Sequence, residues 1–369
     1  MNLSLQDLQA EAAATGFPLE TLDKVIRLIE LLNAFRSHPF LKDRMVLKGG
    51  TALNLFVFDL PRLSVDIDLN YVGSADREVM LAEKEKVEQA ITAICGREGF
   101  TLRRVPTAHA GGKWRLGYTN ALDRNANLEI DVVFTLRVPL RPIQIRDSHP
   151  VGSFMAQGIP VLDIHELAAG KLSALFTRHA SRDLFDAHAL LGRDDLDRDK
   201  LRLGFVVYGA CSRRDWRTVS SEDIGCDHKE LQRQLVPVLS RDVIPAGDEM
   251  SAWIEQLVQE CRERVGLVLP FEDHERDFLV RVNEQGEIAP ELLTEDSVLV
   301  SRIKQHPQLL WKAKHVRQHD TGLVCERCLT APFRCPSPLG GLVAMFTAPI
   351  ELLGLEPASN PWDILRSSK

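Results

Sequence analysis

The sequence predicts an α+β fold, and three observations point to it. Apolar residues recur at helical spacing before residue 40 and after residue 160, whereas the segment between holds short strand patterns separated by Gly, Asn and Pro. Helices that bracket a block of strands are typical of the α+β class. A chain of 369 residues fits two or three domains. We therefore expect a sheet-containing domain over residues 1–160, a helical domain over 161–320, and an irregular tail with cysteines over 321–369.

The composition is that of a globular protein and excludes several classes of function. Hydrophobic residues make up 44% of the chain and charged residues 26%. A net charge of −7 argues against a protein that coats nucleic acid, although it leaves room for a local basic channel. No apolar run is long enough to span a membrane, the N-terminus lacks a secretory pattern, and the seven scattered cysteines indicate reduced thiols. We therefore expect a cytoplasmic protein without a membrane partner.

The secondary-structure elements follow from the patterns in order. PLETLDKVIRLIELLNAF, residues 18–35, has an apolar face at helical spacing. An apolar helical run then follows a glycine pair and leads into a short strand. Asp163 with Glu166 forms a pattern similar to a capping box at a later helix start. Helices are also predicted over residues 77–99, 161–178 and 181–192, and strands over 101–107, 112–120, 127–134 and 142–147.

Two carboxylates stand out in the segment RLSVDIDLN. Asp66 and Asp68 are two residues apart on a strand and therefore share a face, while Ile67 between them points to the other face. Adjacent carboxylates repel each other, and Mg²⁺ is a hard cation that prefers oxygen ligands. The pattern therefore predicts a Mg²⁺ site, with a solvent-exposed edge strand as the simpler alternative.

The glycine turn before these carboxylates predicts a phosphate site. Gly49, Gly50 and Thr51 precede a helical run, and the backbone amides at a helix N-terminus attract phosphate. Glycine also lets a ligand approach the backbone closely. Arg62 and Ser64 add a cation and a hydroxyl immediately before the carboxylates.

A third carboxylate, Asp131 in NLEIDVVF, alternates with apolar residues. An acid in such a strand is costly unless it is paired or bound to a metal. Asp131 is therefore the preferred third ligand, and Glu129 on the same face is the weaker candidate. Three carboxylates around one or two Mg²⁺ ions suit in-line attack on phosphorus.

A second group of charges lies in the two helical segments after residue 160. Lys171, flanked by Gly170 and the small Ser173, has room for a ligand, with a solvated lysine on the helix surface as the simpler alternative. Asp183 and Asp186 share a helix face and are predicted to orient Lys171 or Arg178.

Taken in order, VLKGGTALNLF, RLSVDIDLN, IDVVF and HELAAGKLSALFTRHASRDLFDAHAL resemble the AbiEii toxin family of nucleotidyltransferases, which belongs to the DNA polymerase β-like superfamily. The resemblance covers residues 15–295 and is strongest over 45–72 and 161–191. It implies a polymerase-β-like nucleotidyltransferase core with a mixed sheet and helices, followed by a mostly helical C-terminal region. It further implies a Mg²⁺-dependent toxin of a toxin–antitoxin system, linked to phage defence by abortive infection, with a separately encoded antitoxin.

The resemblance also implies roles for individual residues. Gly49, Gly50 and Thr51 would hold the triphosphate of a nucleoside triphosphate, with Thr in place of the superfamily's usual Ser. The predicted metal ligands are Asp66, Asp68 and Asp131, of which Asp131 has the looser match. Lys171 would contact the phosphates, and Asp183 occupies the position of an essential acid. Some family members add nucleotides to the 3′ acceptor ends of tRNAs, which makes tRNA the favoured acceptor.

Basic clusters with nearby tryptophans are candidates for contact with RNA, since bases stack on aromatic rings. The candidate cations are Lys113, Arg115, Arg178, Arg182, Arg213, Arg214 and Arg217, and the candidate stacking residues are Trp114 and Trp216.

A structural Zn²⁺ site in the tail is disfavoured. Cys325, Cys328 and Cys335, with His315 or His319, do not have the regular spacing of a four-ligand site. Two alternatives to transfer onto RNA remain open: a nucleotidyltransferase that acts on a protein or small molecule, and a non-catalytic nucleotide-binding scaffold.

Overall fold

A computed structural model describes residues 4–59, 61–104 and 111–320. The described residues up to Arg317 form one compact unit. The fold is α+β, as predicted, with a seven-stranded mixed sheet of strand order β3-β4-β5-β2-β1-β7-β6. The strands are β1 Met45–Lys48, β2 Asp66–Tyr71, β3 Thr101–Arg104, β4 Gly111–Thr119, β5 Asn125–Val133, β6 Gln144–Arg146 and β7 Ile159–Val161.

Four of the described helices lie before or between the strands in the sequence, and eight follow the last strand. None of those in the described ranges is both long and apolar enough to cross a membrane. They are α1 Leu5–Thr15, α2 Leu19–Ser37, α3 Gly49–Phe56, α4 Arg77–Arg97, α5 Ile164–Arg178, α6 Ser181–Leu191, α7 Arg198–Ala210, α8 His228–Gln234, α9 Met250–Arg264, α10 Asp273–Val280, α11 Ser297–Lys304 and α12 Pro307–Asp320.

The central strands β1, β2 and β5 position the side chains of the candidate site. β2 pairs with β5 in parallel and with β1 in antiparallel orientation. Ile67 of β2 and Ile130 of β5 lie opposite each other and are fully buried. Trp114 of β4 lies opposite Ile130 and is also fully buried, with its Nε1 3.4 Å from Thr92 Oγ1 of α4. This apolar face is therefore covered by α4, and the alternate side chains point to the other face.

Two strands, β1 and β7, were not predicted. Asp163 caps α5 as expected, since its side chain accepts from the amide of His165. Glu166 does not complete a capping box; its carboxylate accepts instead from the amides of Leu140 and Arg141. One hydrophobic core joins residues from Leu8 to Leu309. The domain boundary at residue 160 stays a prediction. The tail over 321–369, with Cys325, Cys328 and Cys335, lies outside the described residues.

Candidate active site

The predicted carboxylates come together on the open face of the sheet. In the parallel pair of β2 and β5, Asp68 lies directly opposite Asp131, and Asp66 lies opposite Glu129. The register continues over five residue pairs, so the two strands hold these side chains in a fixed order. The sequence predicted this arrangement on the condition that the two strands are neighbours, and they are.

These carboxylates have little compensation from the protein. No donor within the described ranges makes a hydrogen bond or ion pair with Asp68 or Asp131, and Asp66 has only Arg182 Nη1 at 4.0 Å. Burial, followed by the charge of Asp68, raises the pKa of Asp131, although Lys48 acts in the opposite direction. Burial and the same neighbour also raise the pKa of Asp66, which Arg182 partly offsets. The site therefore has negative charge that a cation would relieve.

The chemistry of these donors fits a divalent cation that retains part of its water shell. Across the described ranges, no three His, Cys, Asp or Glu side chains converge into a complete protein cage for a metal. Mg²⁺ does not need one, because it is usually held by one or two carboxylates together with water and substrate phosphates. Asp68 and Asp131, side by side and with no donor from the part of the chain that the structure describes, match that kind of open site.

The glycine turn closes directly over Asp68. Gly49 begins α3 with φ of +71°, a left-handed conformation that favours glycine. A Cβ atom at this position would lie 2.2 Å from Asp68 Oδ2, so no other residue fits without displacing the carboxylate. The amides at the start of α3 therefore lie next to the carboxylates, as phosphate binding beside a metal requires.

The side chains of Thr51, Arg62 and Ser64 are buried beneath this turn. Thr51 is fully buried, and its hydroxyl donates to the main-chain oxygen of Asp66. A Cβ on Gly50 would lie 2.9 Å from Ser64 Oγ and 3.1 Å from Arg62 Nη2. The structure thus brings these three residues to the turn as supports, and does not bring their side chains to the cleft surface.

A buried network of charges connects the turn to α5 and α6. Arg62 donates to both oxygens of Asp186, at 2.7 and 2.6 Å, and Lys171 Nζ lies 2.8 Å from Asp186 Oδ2 and 2.8 Å from Asp183 Oδ1. Arg178 pairs with the other oxygen of Asp183 at 2.9 Å. Asp183 therefore contacts both Lys171 and Arg178, and Asp186 contacts Lys171, as the predicted arrangement requires; that these acids orient the cations for function stays a prediction.

The network stays ionised despite its burial. Burial alone would raise the pKa of Asp186, but Arg62 and Lys171 outweigh it and lower the pKa to about 2. Burial alone would likewise lower the pKa of Lys171, but Asp186 and Asp183 outweigh it and raise the pKa. Lys171 is therefore a fixed cation at the edge of the cleft.

These elements enclose a cleft of about 540 Å³. Lys48 lines this cleft and was missed by the sequence analysis. It lies on β1, directly opposite Asp68 of β2. Its signal was available, because Lys48 immediately precedes the glycine pair. The charged and glycine residues that line the cleft are Lys48, Gly49, Gly50, Asp68, Asp131, Glu166, Gly170, Lys171 and Arg178.

The expectation about tryptophans was wrong. Trp114 and Trp216 are fully buried in the core, so neither ring is available to a base. The cations beside Trp114 do face outward: Lys113 and Arg115 are about half exposed and lie 3.4 and 3.7 Å from Glu129. The alternation of β4 explains both results, since the residue between two exposed cations must point inward.

Three further predicted cations lie in the segment around Trp216. Arg214 pairs with Asp223 at 2.7 Å, and Arg217 pairs with Asp215 at 2.7 Å. Arg213 is exposed. Their role in RNA binding stays a prediction.

Comparison with known proteins agrees with this geometry. Residues 30–273 match the model of a family described as "Nucleotidyl transferase AbiEii toxin, Type IV TA system". Among solved structures, the chain is similar to MenT4, the nucleotidyltransferase toxin Rv2826c from Mycobacterium tuberculosis H37Rv, with a TM-score of 0.54 and 18% identity over 83% of this chain and 99% of that one. At that identity the likeness shows a shared fold. A comparison with curated proteins found no match. Because the family match covers most of the chain, this protein belongs to the AbiEii family of nucleotidyltransferase toxins.

Proposed function

We propose that the chain transfers a nucleotide from a Mg²⁺-bound nucleoside triphosphate to RNA, with the 3′ acceptor end of tRNA as the favoured acceptor. The observation that carries the proposal is the pairing of Asp68 with Asp131 beneath the glycine turn at Gly49, two carboxylates for which the described residues supply no donor. This arrangement can hold a triphosphate and a cation against the same strand pair.

Each residue has a role in the proposed site. The amides that begin α3 at Gly49 and Gly50 bind the phosphates, and the cations Lys48 and Lys171 neutralise their charge. Asp68 and Asp131, with Asp66 beside them, hold the metal. Mg²⁺, when bound, stabilises negative charge on the reacting phosphate and on the leaving group.

The reaction requires little covalent chemistry from the protein. A ribose hydroxyl oxygen of the acceptor forms a bond to the α-phosphorus, and the bond from that phosphorus to the bridging oxygen of the β-phosphate breaks. Pyrophosphate leaves with the electron pair of that bond. Asp131, a carboxylate on the same face as Asp68, is the group we assign to accept the hydroxyl proton. Positioning and charge neutralisation supply most of the rate.

The biological role follows from the family and remains part of the proposal. The family description names a toxin of a type IV toxin–antitoxin system, and MenT4 is titled a nucleotidyltransferase toxin. We propose that modification of RNA stops translation and growth, in a defence against phage, and that a separately encoded antitoxin counters the effect.

The test is transfer of label from each of the four α-³²P-labelled nucleoside triphosphates to total RNA, with Mg²⁺ and with EDTA. We expect one nucleotide to label a tRNA-sized band in the presence of Mg²⁺. Asp68→Asn should abolish the label, because the amide removes a metal ligand with little change of shape. Asp194→Asn, on an exposed aspartate, is the matched control and should label normally.

The possible failures are separable. Label on RNA from a folded Asp68→Asn variant equal to wild type would contradict the assigned site. Label on a protein or small molecule, with none on RNA, would retain the site and replace the acceptor.

A further inference from the structure

A second cleft, of about 470 Å³, opens beside the carboxylates at the start of β2 and β5. Four cations line it: Lys24 from α2, Arg124 before β5, Arg182 from α6 and Arg233 from α8. One carboxylate lines it as well, Glu20, which pairs with Arg124 at 3.0 Å. The cleft is therefore strongly cationic in a chain whose net charge is −7.

Most of this positive charge is not used by the fold. Within the described part of the chain, Lys24 and Arg233 make no ion pair, and Arg182 has only Asp66 at 4.0 Å. Asn120, Asn125, Asn127 and Gln234 add amide groups to the same lining. The buried Oδ1 of Asn127 has no hydrogen-bond partner in the described residues. Unpaired cations with nearby amides are the groups that contact phosphates and sugars in protein–nucleic acid complexes.

The position of this cleft relative to the first cleft is informative. Val65 lines the cationic cleft, Asp68 lines the nucleotide cleft, and Asp66 lies between them on β2. At a rise of about 3.3 Å per residue, the two linings are roughly 10 Å apart along the strand. Arg182 of the cationic cleft lies with its Nη1 4.0 Å from Asp66 Oδ2, so the cationic cleft adjoins the row of carboxylates.

We propose that the cationic cleft binds the phosphodiester backbone of the acceptor RNA next to its 3′ end. This inference rests on the proposed function, since a nucleotidyl transfer has two substrates and the glycine turn accounts for only one. In-line attack requires the hydroxyl to approach opposite the leaving pyrophosphate. The first cleft extends past the end of β5 to Leu136, whereas the cationic cleft lies at the start of β5, so with the nucleotide in the first cleft the acceptor approaches the carboxylates from the cationic cleft.

The test compares two double variants of the full chain. Lys24→Ala with Arg233→Ala removes two cations of the cleft and leaves the nucleotide site untouched. Lys86→Ala with Lys229→Ala is the matched control; both lysines are exposed, and Lys229 is on α8 with Arg233 but does not line the cleft. The probe is a single-stranded RNA 12-mer with a free 3′ hydroxyl and a 5′ fluorescein, measured by anisotropy at several salt concentrations. Binding of a labelled nucleoside triphosphate with Mg²⁺ is measured in parallel.

We expect the Lys24/Arg233 variant to bind the RNA at least about tenfold more weakly at 0.15 M salt, with a salt slope reduced by about 1.4 for two lost phosphate contacts on a single strand. Its affinity for the nucleotide should be unchanged, and the control should bind like wild type. Equal RNA binding by both double variants would overturn the inference and leave the proposed function intact. A wild-type protein that binds the nucleotide but not RNA would overturn both the inference and the RNA acceptor.

Discussion

At the scale of single residues, Gly49 shows how closely the glycine turn packs against the carboxylates. Its φ is positive, and a Cβ would overlap Asp68 Oδ2. Gly96, in the exposed part of α4, has nothing within 4 Å of such a Cβ. Alanine substitutions at Gly49 and Gly96 therefore distinguish the effect of a contact with Asp68 from the general effect of adding a methyl group.

We predict that Gly49→Ala lowers the rate of nucleotidyl transfer by about 100-fold, because displacing a catalytic carboxylate by about 1 Å has an effect of that order. The strained backbone should also lower the free energy of unfolding by about 1–3 kcal/mol. Gly96→Ala should retain full activity and raise the free energy of unfolding by about 0.5–1 kcal/mol. Transfer assays and urea unfolding measure both, and a fully active Gly49→Ala protein would contradict the close contact.

Glu166 gives a prediction about pH. Burial raises its pKa to about 7, although Tyr208 and the amides of Leu140 and Arg141 act to lower it. An acid whose pKa is higher in the folded state makes the protein lose stability as pH rises from about 4.5 to 7, because the folded state then binds more protons than the unfolded state.

Between pH 5 and 8, we expect wild type to lose stability relative to Glu166→Gln by on the order of 2 kcal/mol. The glutamine cannot titrate, so it serves as the reference. Urea unfolding of both proteins at several pH values gives the difference. Parallel curves would mean that Glu166 has an ordinary pKa in the folded protein.

At the scale of elements, the network of Arg62, Lys171 and Asp186 joins the segment before β2 to α5 and α6. Arg62 and Asp186 are 2% and 0% exposed. Removing one partner of a buried ion pair leaves the other charge without compensation.

We predict that Asp186→Asn lowers the free energy of unfolding by about 3–5 kcal/mol, because Arg62 then remains buried without a countercharge and Lys171 keeps only Asp183. Asp195→Asn is the control, since Asp195 pairs with Arg193 at 2.7 Å but is 60% exposed. Its effect should be no more than about 1 kcal/mol. Equal effects of the two substitutions would show that the buried pair is not structurally important.

The same network shows what the sequence could and could not predict. Helical spacing placed Asp183 and Asp186 on one face of α6, and α6 follows the helix of Lys171 after only two residues. The contact of Arg62 with Asp186 spans 124 residues and was not predicted, so Arg62 was expected at the phosphates. Residue types revealed the carboxylates, whereas burial, which decides the role of Arg62 and Trp114, depends on tertiary packing.

At the scale of the whole molecule, binding of the nucleotide should be visible as stabilisation. A ligand that binds only the folded state raises the free energy of unfolding by about 2.7 kcal/mol at 100 times its Kd. We expect a nucleoside triphosphate with Mg²⁺ to raise the melting temperature of wild type, and EDTA to remove most of this shift. Asp68→Asn should show little shift under either condition. An equal shift for the two proteins would place nucleotide binding outside the assigned cleft.

The register of β2 against β5 has a consequence for how the enzyme arises during folding. Asp68 and Asp131 alternate with Ile67, Leu69, Ile130 and Val132, which are all at most 3% exposed. A slip of one residue in either strand would put that strand's isoleucine in water and its aspartate in the core. Burial of these apolar side chains therefore stabilises the native register and disfavours registers in which the aspartates would not face each other. Alignment of the proposed catalytic carboxylates is therefore set when the sheet folds and needs no separate step of assembly.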